Sequence, residues 1–374
     1  EASSPDEQER ADELRAAPVI ASTVGGIRSV PDYRFALDSG STGERLDGLA
    51  DSFQGIATGD YPRFGRGFWE VCQLEGDWDY QQSTVKETAL YSGREYIVFW
   101  QRGQGVLSNS DKARIQGLAA QGRKGIAVTQ TRNLPATLFT GSLFDNNVAA
   151  VVAKQGGRLA ALWAFCSSPG FVREVRKLDE KLGVTNVTLV KVPFDLDHWT
   201  KVAERRYPNG LPEPYTNDPT QWIFHGHPCG SVVWDDETKW TAHGKLRTDD
   251  TVLQVATARL LGYRWPAELD PDMELAPEQR EWVNRCEELL PFADEDGIVC
   301  LPAVRGELSG ADHLLNLLAA AYGEAWSNDT LADLLKNADH AGKTLETWLR
   351  DKFFDQHCKL FQHRPFIWHI WDGL

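Results

Sequence analysis

Between Arg123 and Asp195 the chain sets four strand-like runs and two helix-like runs end to end with almost no linking sequence, and this stretch constrains the fold most. The runs IAVTQT (126–131) and ATLFTG (136–141) read as strands by their β-branched content, joined through Arg132, Asn133, Leu134 and Pro135, and NVAAVVAK makes a third. RLAALWAFCSS then reads as an apolar helix. Ser168-Pro169 starts another, with a preferred capping residue followed by proline in the first turn. Phe171, Val175, Leu178 and Leu182 fall at helical spacing and are expected to be buried, which leaves Arg173, Arg176, Lys177 and Lys181 for outer faces, with Gly183 as the stop. VTNVTLVKVPFD is expected to return as a strand, carrying Thr185 and Asn186 at its entry.

Charge bears on what such a unit could bind. A net charge of -15 argues against a phosphate backbone as partner. The distribution argues differently, because residues 101–190 hold 12 Lys/Arg against 5 Asp/Glu, whereas residues 1–100 hold 9 against 18 and residues 191–374 hold 18 against 31. A basic middle between acidic flanks is what a local anion-binding surface leaves in composition; pairing of those bases with acidic neighbours is the plainer alternative. Within the segment, Arg and Lys can donate twice to guanine, and Asn or Gln can both donate to and accept from adenine, so Lys124, Gln130, Arg132 and Asn133 have side chains suited to base edges.

Around this unit the chain divides into a connecting segment over 1–45, a mixed α/β domain over 46–200 and a mainly helical domain over 201–374, an α+β organisation. Residues 1–17 suit an exposed helix or linker, SVPDYRF a strand, and RLDGLADSF and DKARIQGLAA short helices. QGIATGDYPRFGRGFWE (54–70) interleaves four glycines with aromatics around Arg63 and Arg66, which suits either close approach to a ligand or a loop capped by its own rings. Residues 71–100 read as strands. Beyond 200, DHWTKVAERRYP, DDTVLQVATARLLGYRW, APEQREWVNRCEELL, SGADHLLNLLAAAYG and TLADLLKNADH carry helical periodicity, and the tryptophan-rich end is expected to be a helix running into an apolar strand. HGHPC places His225, His227 and Cys229 where an extended strand would point all three to one side, a possible zinc set that lacks the usual close-paired spacing. Six scattered cysteines without framework spacing suggest reduced thiols in a cytosol. No apolar run approaches transmembrane length. A chain that begins on Glu1 and whose single methionine is Met273 reads as a segment of a longer protein.

Several runs together resemble the non-catalytic part of large adenine-specific class I DNA methyltransferases of bacterial phage-defence and restriction-modification systems, of the DISARM, BREX and type IIG kind: SFQGIATGDYPRF, TQTRNLPATLFTGSLFDNNVAA, LWAFCSSPGFVREVRKLDEKLGVTNVTLVKVPFDLDHW, DPTQWIFHGHP and WLRDKFFDQHCKLFQHRPFIWHIWDG. The resemblance covers most of the chain from about Leu46 onward. It implies a TaqI-like target-recognition domain over 46–200 and a helical region that embraces the duplex or braces the catalytic domain. It also implies double-stranded DNA, that catalytic domain and other defence-system proteins as partners, in the cytoplasm and away from membranes. The family's glycine-rich cofactor loop and its Asn-Pro-Pro-Tyr type motif are absent, and no Pro-Pro pair occurs in the sequence. No catalytic residue is therefore carried over, and S-adenosylmethionine is expected as cofactor of the full enzyme, not of this chain. The expected base contacts are Arg123, Lys124, Gln130, Arg132 and Asn133; Arg63, Arg66 and Lys181 are expected nearer phosphates, and Thr185 and Asn186 complete the DNA-binding set. Two other readings remain at this level: an interaction module that recruits partners through its acidic helical half, and a hydrolase built on His225, His227 and Cys229.

Overall fold

The computed structural model describes residues 44–71, 74 and 76–370, so the expectations for residues 1–17 and for SVPDYRF lie outside the described residues. From Arg45 onward the chain forms one compact unit with an α+β architecture. Its first sheet is antiparallel, in the order β1 (Ala50–Gln54), β8 (Val148–Ala153), β5 (Gly125–Thr129), β6 (Ala136–Phe139). All of β5 and nearly all of β8 are buried, because alternate residues face two separate cores. Ile126, Val128, Ala149 and Val151 point into one cluster, while Ala127, Val148, Ala150 and Val152 point into another. That is why these runs are continuously apolar instead of alternating.

On the first of these faces lie α1 (Leu159–Cys166), α2 (Pro169–Leu178) and α3 (Leu196–Arg206). Helix α1 is apolar all round because the sheet covers one side and α3 the other, and Trp163 Nε1 donates to the Tyr207 hydroxyl at 2.7 Å. Helix α2 starts as the sequence predicts, with Ser168 Oγ accepting from the Phe171 amide at 3.3 Å. It stops at Leu178, a turn before Gly183, and Leu178 and Leu182 are 37% and 74% exposed instead of buried. The reason is Arg176, whose guanidinium takes the Lys181 carbonyl and bends residues 179–182 back.

Other expectations change for similar tertiary reasons. RLDGLADSF keeps only a 3₁₀ turn at Leu46–Gly48 before becoming β1, since pairing with β8 outweighs local helix preference. DKARIQGLAA makes turns and a single 3₁₀ turn at Leu118–Ala120. There Gly117, at φ +75°, sits where a Cβ would strike the Gln54 carbonyl and the Phe144 ring. VTNVTLVKVPFD is not a strand: Asn186–Leu189 forms a helical turn, in which the Asn186 amide donates to the Ser52 carbonyl at 2.9 Å and the Thr185 and Thr188 hydroxyls share a hydrogen bond.

A second sheet runs β2 (Gly65–Gly67), β4 (Tyr96–Phe99), β3 (Trp78–Gln82), β7 (Leu143–Phe144), with only the β3–β7 pair parallel. It carries the strands expected within 71–100. Ile97 on one face joins the core of the helical half, and Val98 on the other packs with Ile56, Phe64 and Leu143. The helical half contains α4 (Val252–Leu260), α5 (Pro277–Arg285), α6 (Gly310–Tyr322), α7 (Asn328–Asn337), α8 (Leu345–Asp351) and α9 (Phe353–Leu360), plus a hairpin of β9 (Val232–Asp235) and β10 (Trp240–His243). Ser309, Ser327 and Thr344 cap α6, α7 and α8 through their hydroxyls.

The expected C-terminal strand does not form among the described residues. Residues 361–370 fold back instead, since the amides of Phe366 and Ile367 approach His357 Nε2 at 3.4 and 3.3 Å and the Arg364 carbonyl accepts from Trp69 Nε1 at 2.8 Å. Among the described residues no helix is long and apolar enough to cross a membrane.

One buried ion pair ties α4 to the segment after it: Arg259 meets Glu268, both side chains almost wholly enclosed, and Arg259 Nε donates to the Gly226 carbonyl at 2.6 Å. Glu268→Gln is expected to cost about 3–5 kcal/mol, because it leaves a guanidinium charge buried without its counter-charge. The Arg259→Met/Glu268→Leu double variant should recover most of that loss in urea unfolding. An undiminished midpoint in the single variant would contradict this account.

Candidate nucleic-acid interface

The turn between β5 and β6 is built to hold its tip in place. Arg132 and Leu134 both take left-handed backbone angles, φ +56° and +49°, with Leu134 fully buried as the anchor and its amide donating to the Thr131 carbonyl at 3.1 Å. Arg176 of α2 reaches across: its guanidinium donates to the carbonyls of Arg132 and Lys181 and lies 3.5 Å from those of Asp179 and Leu182. One side chain thus joins the β5–β6 turn to the loop after α2. A backbone bridge between Thr131 and Gly183 and a bond from the Val184 amide to the Gln130 carbonyl at 2.8 Å add to this link.

The result is a ridge on which Arg132, Asn133, Lys181 and Thr185 are exposed. Beside it lies a cleft of about 440 Å³ lined by Asn133, Ser168, Pro169, Val172, Arg173 and Arg176 among others. Its rim combines an amide, two guanidinium groups and the start of α2. The capped helix start was visible in the sequence; that Arg176 is a staple and not an outward base was not, because its partners are backbone carbonyls distant along the chain.

The remaining expected residues divide. Gln130 is 7% exposed, and its Nε2 donates to the Val184 carbonyl at 3.0 Å, so its amide serves the fold and is not offered to a base. Asn186 is likewise engaged with the Ser52 carbonyl. Arg123 and Lys124 lie at the opposite end of β5 from Arg132, about 20–30 Å away along extended chain. There Arg123 donates to the Ala153 carbonyl at 2.8 Å, and Lys124 pairs with Glu274 of the helical half. Arg66 lies in β2 of the second sheet and Arg63 in the helical turn Tyr61–Phe64 just before it. Arg66 donates to the carbonyls of Pro62 and Gly65 at 2.6 and 2.7 Å and lies 3.8 Å from Glu70, whereas Arg63 is exposed beside the Phe64 ring. The structure therefore groups Arg132, Asn133, Lys181 and Thr185, and separates them from Arg63, Arg66, Arg123 and Lys124.

His225, His227 and Cys229 are buried but do not converge as ligands. His225 Nδ1 accepts from the His227 amide at 3.0 Å, Cys229 Sγ donates to the Ala321 carbonyl at 3.2 Å, and the segment is not the strand expected for it. Among the described residues no group of three or more His, Cys, Asp or Glu side chains is placed to hold a metal ion. Cys166, Cys229, Cys286, Cys300 and Cys358 are free thiols. No known protein-family model and no curated protein sequence matches the chain.

Burial, with nearby Arg259 and Arg285, pushes the His227 imidazole down to about 3, so it stays neutral in the folded protein at neutral pH. The unfolded chain takes up this proton near pH 6.5 and the folded one does not, so this histidine's penalty grows as pH falls from 6.5 towards 3. Compared with His227→Gln, the wild-type chain should lose about 1.4 kcal/mol of relative stability per pH unit over that window. Urea unfolding of both proteins at pH 7, 6 and 5 measures it; a constant difference between them would exclude a neutral buried imidazole.

Proposed function

We propose that this chain is the DNA-sequence recognition portion of an S-adenosylmethionine-dependent N6-adenine DNA methyltransferase serving phage defence or restriction-modification, with residues 46–200 as the reading domain and residues 201–374 as its helical support. The observation that carries the reading is the exposed ridge of Arg132, Asn133, Lys181 and Thr185, stapled by Arg176 and set in the one segment with a surplus of positive charge. A turn held rigid by buried contacts, with guanidinium and amide groups at its tip, suits base edges. Lys181 and Arg173 on the adjoining elements suit phosphates.

Methyl transfer itself is assigned to a catalytic domain, since this sequence has neither the Pro-Pro pair of the adenine-gripping motif nor a spaced glycine-rich cofactor loop. Cytoplasmic placement follows from that role. A second reading, a protein-interaction module of a defence complex, draws on the strongly exposed Trp368 and Ile370 beside the acidic helical half.

At low salt the chain should bind duplex DNA, with an affinity that falls steeply as salt rises. Lys181→Ala should reduce the log–log salt slope by about 1 for any sequence, as expected for one lost phosphate contact. Arg132→Ala should instead relax discrimination by about 1–3 kcal/mol at one base position. Fluorescence anisotropy on a panel of duplexes measures both effects. Absence of duplex binding at about 50 mM salt, together with stable capture of a protein partner, would favour the interaction module instead.

A further inference from the structure

One exposed basic run lies outside the ridge and outside the binding set expected from the sequence. Residues 112–115 alternate: Ala113 and Ile115 pack against the core of Ile56, Phe64 and Val98, while Lys112 and Arg114 are exposed on the other side. Backbone pairing holds them there. Ala57 and Arg114 exchange both hydrogen bonds, at 3.0 and 2.8 Å. Two residues further, Gly59 at φ +70° lies so close that a Cβ there would fall 2.4 Å from the Lys112 carbonyl oxygen. This glycine of the QGIATGDYPRF run thus serves backbone packing and fixes the position of Lys112. Among the described residues neither the Lys112 ammonium nor the Arg114 guanidinium forms a hydrogen bond or an ion pair, so both charges face solvent.

This pair sits at the same edge of the first sheet as the ridge. Register places Gln54 opposite Ala149 and Thr129 opposite Val148, so β1, β8 and β5 meet that edge together. From it β5 runs into the turn of Arg132 and Asn133, and β1 into residues 55–59, the segment that pairs with Arg114. In the order β1-β8-β5 these exits are two strand spacings apart, about 10 Å, and the pairing with Arg114 adds up to about 5 Å more. Between them lies the seam where the chain crosses from one sheet to the other. Its cavity, about 290 Å³, is lined by Gln81, Asp145 and Asn146 among others and by no basic residue. The carbonyls of Asn146 and Asn147 tie the seam to both exits, accepting from Gln54 Nε2 and from the Gln130 amide, each at 3.1 Å. Two groups of cations therefore flank a polar centre that carries none. Asp60 and Asp111 are exposed beside Arg63, Lys112 and Arg114, so this flank is only weakly positive and suits discrete phosphate contacts instead of long-range attraction.

We propose that Lys112 and Arg114 hold phosphates of one DNA strand while Lys181 holds those of the other, so that this sheet edge straddles a groove of the duplex with Arg132 and Asn133 facing the bases between. The proposal rests on the DNA reading and adds a second contact surface to it. A separation of about 10–15 Å matches the roughly 12 Å width of the B-DNA major groove. Ammonium and guanidinium groups carried on a paired backbone make charge-assisted bonds to phosphate oxygens and set the register of a reader on its duplex.

The test uses the full chain, the Lys112→Ala/Arg114→Ala double variant, Lys181→Ala, the triple variant, and Lys124→Ala from the opposite end of β5. Anisotropy follows binding to a two-turn duplex, and to one of its strands alone, as salt is raised. On the duplex the log–log salt slope should fall by about 2 in the double variant and by about 3 in the triple variant, with Lys124→Ala unchanged. On the single strand, which can occupy only one flank at a time, the losses should not add. An unchanged slope in the double variant, with duplex binding by the wild-type chain intact, would overturn the proposal and leave the DNA reading standing. Losses that add on the single strand as well would overturn the straddling arrangement, since one strand would then run along both groups. Absence of duplex binding by the wild-type chain would remove the DNA reading and this surface with it.

Discussion

The structure depends on the two-sided burial of β5 and β8. Each strand contributes alternate residues to two cores, with Ile126 and Val151 on one side and Ala127 and Ala150 on the other. A strand buried on both faces cannot slip its register without exchanging the two sets, so its ends are held in place as firmly as its middle. The β5–β6 turn inherits that rigidity. Helix α2, which covers one of the two faces, is also the element whose Arg176 reaches back to the turn, so the packing that stabilises the sheet and the contacts that shape the candidate interface involve the same helix.

The same sheet accounts for the seam. Its outer strand β1 and its inner strand β8 are each continuous in sequence with segments of the second sheet, and those two crossings meet at Ile56 and Asp145. Such a crossing needs close backbone approach, which Gly55 permits, and it leaves polar side chains facing each other where neither sheet can fill the gap. The ridge around Arg132 and the pocket around Gln81 are therefore two consequences of one arrangement. The first presents charge at a strand end, and the second leaves a small polar cavity between sheets, lined by Gln81, Asp145 and Asn146 among others.

Much of the fold was legible because it is local. Continuous β-branched runs, the Ser168-Pro169 helix start and the apolar periodicity of α4, α6 and α7 all express short-range rules. The misread elements were short and polar. RLDGLADSF and VTNVTLVKVPFD carry weak local preference, and each took the form its neighbours in space required: edge pairing with β8 for the first, side-chain bonds to β1 and within its own turn for the second. Of the candidate binding residues, Arg132, Asn133, Lys181 and Thr185 emerged together, whereas Gln130 was drawn inward by the Val184 carbonyl.

By itself, then, the sequence determined an α+β chain with a basic central segment and a helical remainder, because strand and helix patterning and charge distribution are properties of neighbouring residues. Only the tertiary structure decided which polar side chains are available to a ligand. A guanidinium or amide in the sequence does not reveal whether its partner is water, a ligand or a carbonyl far along the chain. Arg176 found carbonyls on two loops, Gln130 found one, and Gln81, one residue from the end of β3 in the second sheet, found none.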